Sequence, residues 1–229
     1  MYFDLPVAIL FFIFFVVLTL LYFVSRRTIQ SLFLVLASIT NESVAAGIIA
    51  IIFYPGTVIH ELSHFVAAVM LLQPVHNISL IPSREGKTLR LGYVLYEKKD
   101  VIRGILVGIA PIVTGILLLW WLYTIHFFEF TKLTIHILKA YIMFVLSSTM
   151  FSSKQDLIDI WYVIPLFIII GWAAYLFNLN IFFIFENRSL LEAIRNFMYA
   201  VTIYTCISMG IHILILMVCH SIRRLLHIY

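Results

Sequence analysis

The residues of this chain that could do chemistry are His60, Glu61 and His64, which form the pattern H-E-x-x-H. In a helix, side chains four positions apart lie on one face, so both imidazoles can point at a single metal ion. Glu61 projects from the neighbouring position and can act on a water molecule at that metal. The pattern is typical of zinc peptidases.

The motif lies inside an apolar run from Val44 to Leu72. Ionisable side chains at the centre of a membrane span cost about 2.5–3.5 kcal/mol each, so they rarely persist there without a partner or a function. A structural alternative is two histidines hydrogen-bonded to a neighbouring helix, with Glu61 neutral or paired. The favoured interpretation is a metal site within a membrane span.

Composition indicates an integral membrane protein. Hydrophobic residues make up 63% of the 229 residues and charged residues only 11%, whereas soluble domains have about 45–50% and 25%. The length predicts a single domain, residues 1–229, with about six transmembrane helices. If the motif is catalytic, the catalytic core is expected over about 44–176, from the motif segment to the end of the fifth long apolar segment. The net charge of +4 comes from basic residues in the loops, which the positive-inside bias explains without nucleic acid.

Apolar runs define the expected spans. Ser31–Ile39 is apolar but too short to span alone, so a short span, a re-entrant segment and an interfacial helix are all open. Pro55 should kink the motif helix just before the histidines. The expected spans are Leu5–Val24, Val44–Leu72, Arg103–His126, Thr134–Phe151, Leu157–Leu176 and Ala193–Cys219.

A strand-like, basic insert follows the motif helix. Asn77–Ile81 and Thr88–Tyr96 have strand composition, and the residues from Pro82 to Lys87 between them read as a turn, so a β-hairpin is expected. Its basic residues predict a position on the cytoplasmic side of the membrane. They are Arg84, Lys87, Arg90, Lys98, Lys99 and Arg103.

Two histidines do not complete a catalytic zinc site, which usually has three protein ligands. Among the few acidic residues, Asp156 and Asp159 stand at the entrance of the fifth long apolar segment, on the inferred cytoplasmic side. Their structural alternative is helix capping, with Ser153 as the N-cap. Asp159 lies three positions after Asp156, on nearly the same helix face, so both stay candidates.

The order of these features resembles the site-2 protease family of intramembrane zinc metalloproteases. The resemblance covers about Tyr54–Trp161 and rests on the H-E-x-x-H helix, the hairpin, the Gly-Ile-Ala-Pro run that ends at Pro111, and Asp156. The run Met150-Phe-Ser-Ser-Lys-Gln-Asp156 is similar to a divergent prokaryotic branch of that family. Where the family often has Asn, Pro and Asp-Gly, this chain has Ser148, Ser152 and Asp156-Leu157.

The resemblance implies one zinc ion per chain, held by His60, His64 and Asp156, with Glu61 as the catalytic carboxylate. It implies hydrolysis of peptide bonds in or near the transmembrane segments of membrane-protein substrates, in a prokaryotic cell membrane with the site towards the cytoplasm. Lipid and these substrates are the expected partners, and the oligomeric state stays open. An edge of the hairpin could hold an extended substrate, although a purely structural hairpin is an equal alternative.

Two other functions are compatible with the motif. A zinc membrane peptidase of the prenyl-protein or heat-shock type would need a downstream glutamate ligand, for which only Glu129, Glu186 and Glu192 are available. A non-catalytic relative could act as a membrane scaffold or chaperone, but it would have no use for Glu61. Of the other histidines, His212 lies deepest in an apolar segment, and we expect it to be a packed, hydrogen-bonded residue.

Overall fold

A computed structural model describes residues 6–80, 83–85, 88–90, 92–128, 133–151, 168–169, 171–173, 176–177 and 187–226. It contains five long helices and four short strands. The helices are α1 (Val7–Ile39), α2 (Glu42–Met70), α3 (Val101–Thr124), α4 (Leu133–Thr149) and α5 (Arg188–Leu225). The strands, all between α2 and α3, are β1 (Val75–Ser79), β2 (Ser83–Glu85), β3 (Thr88–Arg90) and β4 (Tyr93–Tyr96).

Four of the helices, α1, α2, α3 and α5, are long and apolar enough to cross a membrane. They correspond to four of the six expected spans. Helix α4 is apolar but has 17 residues, fewer than the roughly 20 that cross a bilayer. The remaining expected span, Leu157–Leu176, falls mostly outside the described residues. The predicted helical membrane class therefore agrees with the structure at the level of four candidate spans.

Helix α1 is longer than the sequence suggested, because it runs without a break from Val7 to Ile39. The apolar run Ser31–Ile39 is thus the end of α1 and not a separate span, re-entrant segment or interfacial helix. The stretch contains no glycine or proline, and arginine is a good helix former, so Arg26 and Arg27 do not end the helix. With 33 residues, α1 is about 50 Å long, which exceeds the roughly 30 Å of a hydrocarbon core.

Helices α1 and α5 lie side by side and run in the same direction. Near their starts, Leu10 packs in one cluster with Met198. Further along, the hydroxyl of Thr28 lies 3.5 Å from the carbonyl oxygen of His212. Helices α2 and α3 are antiparallel, because Arg103 at the start of α3 donates from Nη1 to the carbonyl of Leu71, 3.1 Å away, at the end of α2.

Helix α4 packs closely against α2 one turn before the histidines. A β-carbon at Gly56 would lie 2.5 Å from Oγ1 of Thr149 and 2.6 Å from Cγ1 of Val145, so only glycine permits this approach. Helix α2 continues through Pro55. The Tyr141 hydroxyl donates to the carbonyl of Ile52 at 2.8 Å, so α4 also contacts α2 beside the proline.

The insert after α2 forms the predicted antiparallel hairpin, in two sections. Strand β1 pairs with β4, and β2 pairs with β3. The prediction of a turn over residues 82–87 was wrong in extent, because Ser83–Glu85 form a strand that pairs with Thr88–Arg90. The second predicted strand is also divided, with Gly92 between its two sections. In the β1–β4 section, which is joined to the helices, Ser79 lies opposite Tyr93 and Val75 opposite Tyr96.

Candidate metal site on helix α2

The two histidines of the motif converge within the protein interior. His60 and His64 are 4% and 8% exposed, and their Nε2 atoms lie 3.2 Å apart. The rings are nearly perpendicular, with an interplanar angle of 87° and centroids 4.8 Å apart. Two nitrogen ligands of one tetrahedral zinc ion, each bonded at about 2.0–2.1 Å, have a separation of about 3.3 Å. The observed spacing fits a pair of zinc ligands.

A contact with helix α3 determines which ring nitrogen of His64 carries a hydrogen. Nδ1 of this ring lies 2.9 Å from the backbone carbonyl oxygen of Val107, which is fully buried. A carbonyl only accepts hydrogen bonds, so Nδ1 must carry the hydrogen and donate it. In the neutral imidazole, the lone pair is then on Nε2, the atom that faces His60. Metal-binding histidines show this arrangement, in which the second ring nitrogen donates to a carbonyl or carboxylate.

Glu61 lies on α2 next to these rings, beneath the end of the β1–β4 sheet. It is 9% exposed. A β-carbon at Gly92 would lie 2.9 Å from Cγ of Glu61, 3.1 Å from the carbonyl oxygen of Ser79 and 3.3 Å from Cγ2 of Thr57. The backbone at Gly92 therefore approaches the carboxylate side chain more closely than any other residue type would allow. The motif glutamate is held between its own helix and the sheet.

The main candidates for a third metal ligand are outside the residues that the structure describes. Asp156 and Asp159 are outside the described residues, as are Ser153, Glu129 and Glu186. Within the described ranges, no group of three or more His, Cys, Asp or Glu side chains is arranged to hold a metal. Glu192 is described, and it is exposed in the first turns of α5.

Two elements of the site were not predicted from the sequence. The carbonyl partner of His64 is 43 residues away on α3, and backbone carbonyls leave no signal in the residue types. Gly92 was counted as part of a strand, although a glycine inside a strand, here between a leucine and a tyrosine, can indicate a close backbone approach. That is the one signal in the sequence that points to Gly92.

An apolar groove lies between α2 and α3 on a neighbouring face of the motif helix. Its volume is about 570 Å³. Leu62 and Ser63, the two variable positions of the motif, line it together with Val66, Leu106 and Val113. Leu62 and Val66 lie about 120–160° around the helix from the two histidines and Ser63 lies about 60–100° from them. Neither histidine lines the groove, so the groove flanks the imidazoles without containing them.

His212 is packed and hydrogen-bonded, as predicted. It is fully buried, and its Nε2 lies 3.0 Å from Oγ of Ser147 and 3.5 Å from Oγ of Ser148. The ring also packs against Phe144, with centroids 4.8 Å apart. Hydroxyl groups on α4 thus provide its polar contacts.

Compared with known proteins, the chain matches no family model, no curated protein and no solved structure. Functional inference for this chain therefore depends on its own residues.

Proposed function

We propose that the chain is a zinc-dependent intramembrane endopeptidase that hydrolyses peptide bonds in or near the transmembrane segments of other proteins. The observation that carries this proposal is the 3.2 Å separation of the Nε2 atoms of His60 and His64 in a buried setting. Glu61 is the adjacent residue, so a proton acceptor is next to the same position. A buried pair of imidazoles with a neighbouring carboxylate is well suited to hydrolysis at a metal.

His60, His64 and one aspartate would hold a single zinc ion, with Asp156 as the first candidate and Asp159 as the second. The last described residue before them is Phe151, and α4 ends against Gly56, one turn before His60. Asp156 is five positions further on, a stretch that covers up to about 18 Å when extended. The chain is therefore long enough to bring this carboxylate to the imidazoles. When bound, zinc supplies a Lewis acid that polarises the scissile carbonyl and acidifies water.

Glu61 would be the proton-transfer group of the reaction. It is not needed as a ligand, because it lies about 100° around the helix from His60 and projects towards the edge of the metal position. In this role, the carboxylate takes a proton from the attacking water and passes it to the leaving amine. The cover of Thr57 and Gly92 limits bulk water around the carboxylate.

The β1–β4 sheet would present the substrate in an extended form. The backbone of a transmembrane helix is hydrogen-bonded internally, so its peptide bonds must be freed before they can be attacked. Within the described residues this sheet has two strands, so each has one outer edge without a strand partner there. A peptide added to such an edge gains backbone hydrogen bonds. The Ser79–Tyr93 end of the ladder is the end next to Glu61.

We assign the site to the cytoplasmic side of a prokaryotic cell membrane. Support comes from the basic residues that follow β4 and open α3, namely Lys98, Lys99 and Arg103. Basic residues next to membrane spans are concentrated on the cytoplasmic side.

The decisive experiment separates metal binding from catalysis. In Glu61→Gln, the histidines are intact, so zinc content should match the wild type, while the loss of the base should lower cleavage by about 10²–10⁴. Zinc content and hydrolysis of a model transmembrane substrate would be measured in detergent. Glu192→Gln is the matched control, since it removes an exposed carboxylate elsewhere and should cleave normally. Wild-type cleavage by Glu61→Gln would refute the mechanism.

The scaffold alternative has a distinct signature in the same experiment. A wild-type protein that binds zinc but cleaves no transmembrane substrate would favour the scaffold. The glutamate-ligand alternative would be favoured if Asp156→Ala and Asp159→Ala both retained zinc while Glu129→Ala or Glu186→Ala lost it.

A further inference from the structure

A second cavity, with a polar lining, lies between α1 and α5, away from the motif helix. It has a volume of about 590 Å³. We call it the basic pocket, because its polar lining contains two arginines, a histidine and two serines. These residues are Arg27 and Ser31 of α1 and His220, Ser221 and Arg223 of α5.

The two arginines of the basic pocket have no charge partner within the described part of the chain. Neither Arg27 nor Arg223 makes an ion pair or a hydrogen bond there, and Nε of Arg223 is buried without an acceptor. Helix α1 contains no acidic residue, and the one acidic residue of α5, Glu192, is 31 positions before Arg223, or about 46 Å along the helix. The pocket is thus a concentrated positive site.

Within the described residues, the neighbouring Arg26, unlike Arg27, makes polar contacts with other parts of the protein. Its Nη2 donates to the carbonyl of Phe151 at 2.8 Å, and its guanidinium lies 5.7 Å from the ring centroid of Tyr22. Arg26 therefore ties α1 to the end of α4. Arg27, one position further, is exposed and makes no such contact in the described chain.

The basic pocket stands at the border of the apolar part of both helices. In α1 the apolar stretch that begins at Val7 ends at Arg26 and Arg27, and in α5 the last apolar stretch ends before Arg223 and Arg224. The two basic pairs are not level, because Thr28 contacts His212 and Arg223 lies 11 positions, or about 16 Å, further along α5. The pocket occupies this interval, and its Arg223 end is at the level where the apolar part of α5 meets phospholipid headgroups.

We propose that the basic pocket binds the phosphate of an anionic phospholipid headgroup. Guanidinium groups bind phosphate oxygens with two parallel hydrogen bonds, and a phosphate would give the buried Nε of Arg223 its acceptor. The apolar wall favours a lipid over free phosphate. It includes Ile213 and Met217, which are 41% and 57% exposed and continue along α5 into its apolar part, where an acyl chain can lie.

The first test uses delipidated wild-type protein in a neutral detergent. Its binding to dihexanoyl phosphatidylglycerol, dihexanoyl phosphatidylcholine and inorganic phosphate would be titrated by native mass spectrometry. We expect the anionic lipid to bind at least about tenfold more tightly than the zwitterionic one, and inorganic phosphate not to displace it at equal concentration. Equal binding of the two lipids would overturn the site. Displacement by inorganic phosphate would overturn the lipid assignment.

The second test removes the pocket charges. The variant carrying both Arg27→Gln and Arg223→Gln should bind phosphatidylglycerol at least about tenfold more weakly. Arg224→Gln, which removes the same charge from an exposed position outside the pocket lining, should stay within about twofold of the wild type. Equal weakening by both variants would mean a general effect of surface charge and would refute the pocket. If the double variant does not fold, Arg27→Gln alone, at an exposed position, must still weaken binding.

Discussion

Within the described residues, histidines are buried in two places, and the contacts at the two places favour different ring nitrogens as the carrier of the hydrogen. On α2, His64 must hold its hydrogen on Nδ1, because that atom faces the carbonyl of Val107. On α5, the contacts of His212 favour the opposite arrangement. Ser147 donates its own hydrogen to the carbonyl of Met143 at 2.8 Å, so its oxygen accepts from Nε2 of His212 at 3.0 Å.

This difference separates the proposed ligand pair from a packed histidine of similar burial. In His64 the lone pair is on Nε2 and faces Nε2 of His60 at 3.2 Å, which is the arrangement that the proposed metal site requires. In His212 the Nε2 position is used for donation, and Nδ1 has no hydrogen-bond partner among the described residues. Burial in an apolar helix is common to both sites. The atoms opposite each ring nitrogen distinguish their chemistry.

The largest expected effect comes from removing one histidine from each place. His60→Ala should reduce bound zinc from one per chain to nearly none and abolish cleavage, because one imidazole remains. His212→Ala should keep zinc and cleavage in whatever fraction folds, at a stability cost of about 2–4 kcal/mol from the cavity and the lost hydrogen bond. Zinc per folded chain would be measured after size-exclusion chromatography. Loss of zinc from His212→Ala would show that the two places are one site.

The convergence of the two histidines could be predicted from the sequence, because it depends only on their spacing along one helix. Residues four apart on a helix share a face whatever surrounds them, so the convergence of His60 and His64 was predictable from the motif. The hairpin was predictable for a similar reason, since strand composition and a glycine-containing turn are local features.

Contacts between distant segments explain what the sequence missed. The Val107 carbonyl and the approach of Gly92 to Glu61 depend on how α3 and the sheet pack onto α2, which no local pattern encodes. The extent of α1 was missed for a different reason. Two arginines after an apolar run suggested a boundary, but charged residues can stay helical where they leave the membrane, and no glycine or proline follows them before Ile39.

The next test is a substitution at Gly92. This residue packs against Glu61, and it is not part of the proposed metal-binding pair. In Gly92→Ala the new methyl group would collide with Cγ of Glu61 and the carbonyl of Ser79. Zinc content should be unchanged, while cleavage should fall by roughly 10–100-fold, since sub-ångström shifts of a catalytic group are costly. Gly47→Ala, where a β-carbon meets nothing within 4 Å, should cleave like the wild type. A loss of zinc in Gly92→Ala would mean that the sheet positions the ligands as well.

Gly56 lies on α2 one turn before His60 and packs against Val145 and Thr149 of α4. The same turn of α4 carries Ser147, which contacts His212, so Gly56 connects the two histidine sites. Gly56→Ala should destabilise the protein by about 1–3 kcal/mol, since the methyl group would overlap Thr149 and Val145 and push α4 away. Gly47→Ala on the same helix gains the same helix propensity without a collision, so it should be neutral or slightly stabilising. Thermal unfolding in detergent would compare the two. Equal stability would show that α4 moves freely relative to α2.

The smallest expected effect concerns the hydroxyl groups around His212. Ser147→Ala removes the acceptor at 3.0 Å and leaves Nε2 only the 3.5 Å contact with Ser148. The cost should be about 1–2 kcal/mol, as for other buried donors that lose a partner. Ser148→Ala removes the longer contact and should cost less than half as much. Thermal unfolding would give the order, and zinc content should be unchanged in both. A larger loss for Ser148→Ala would mean that Ser148 is the true acceptor, which would reverse the assignment of hydrogen bonds at His212 while leaving the pair on α2 intact.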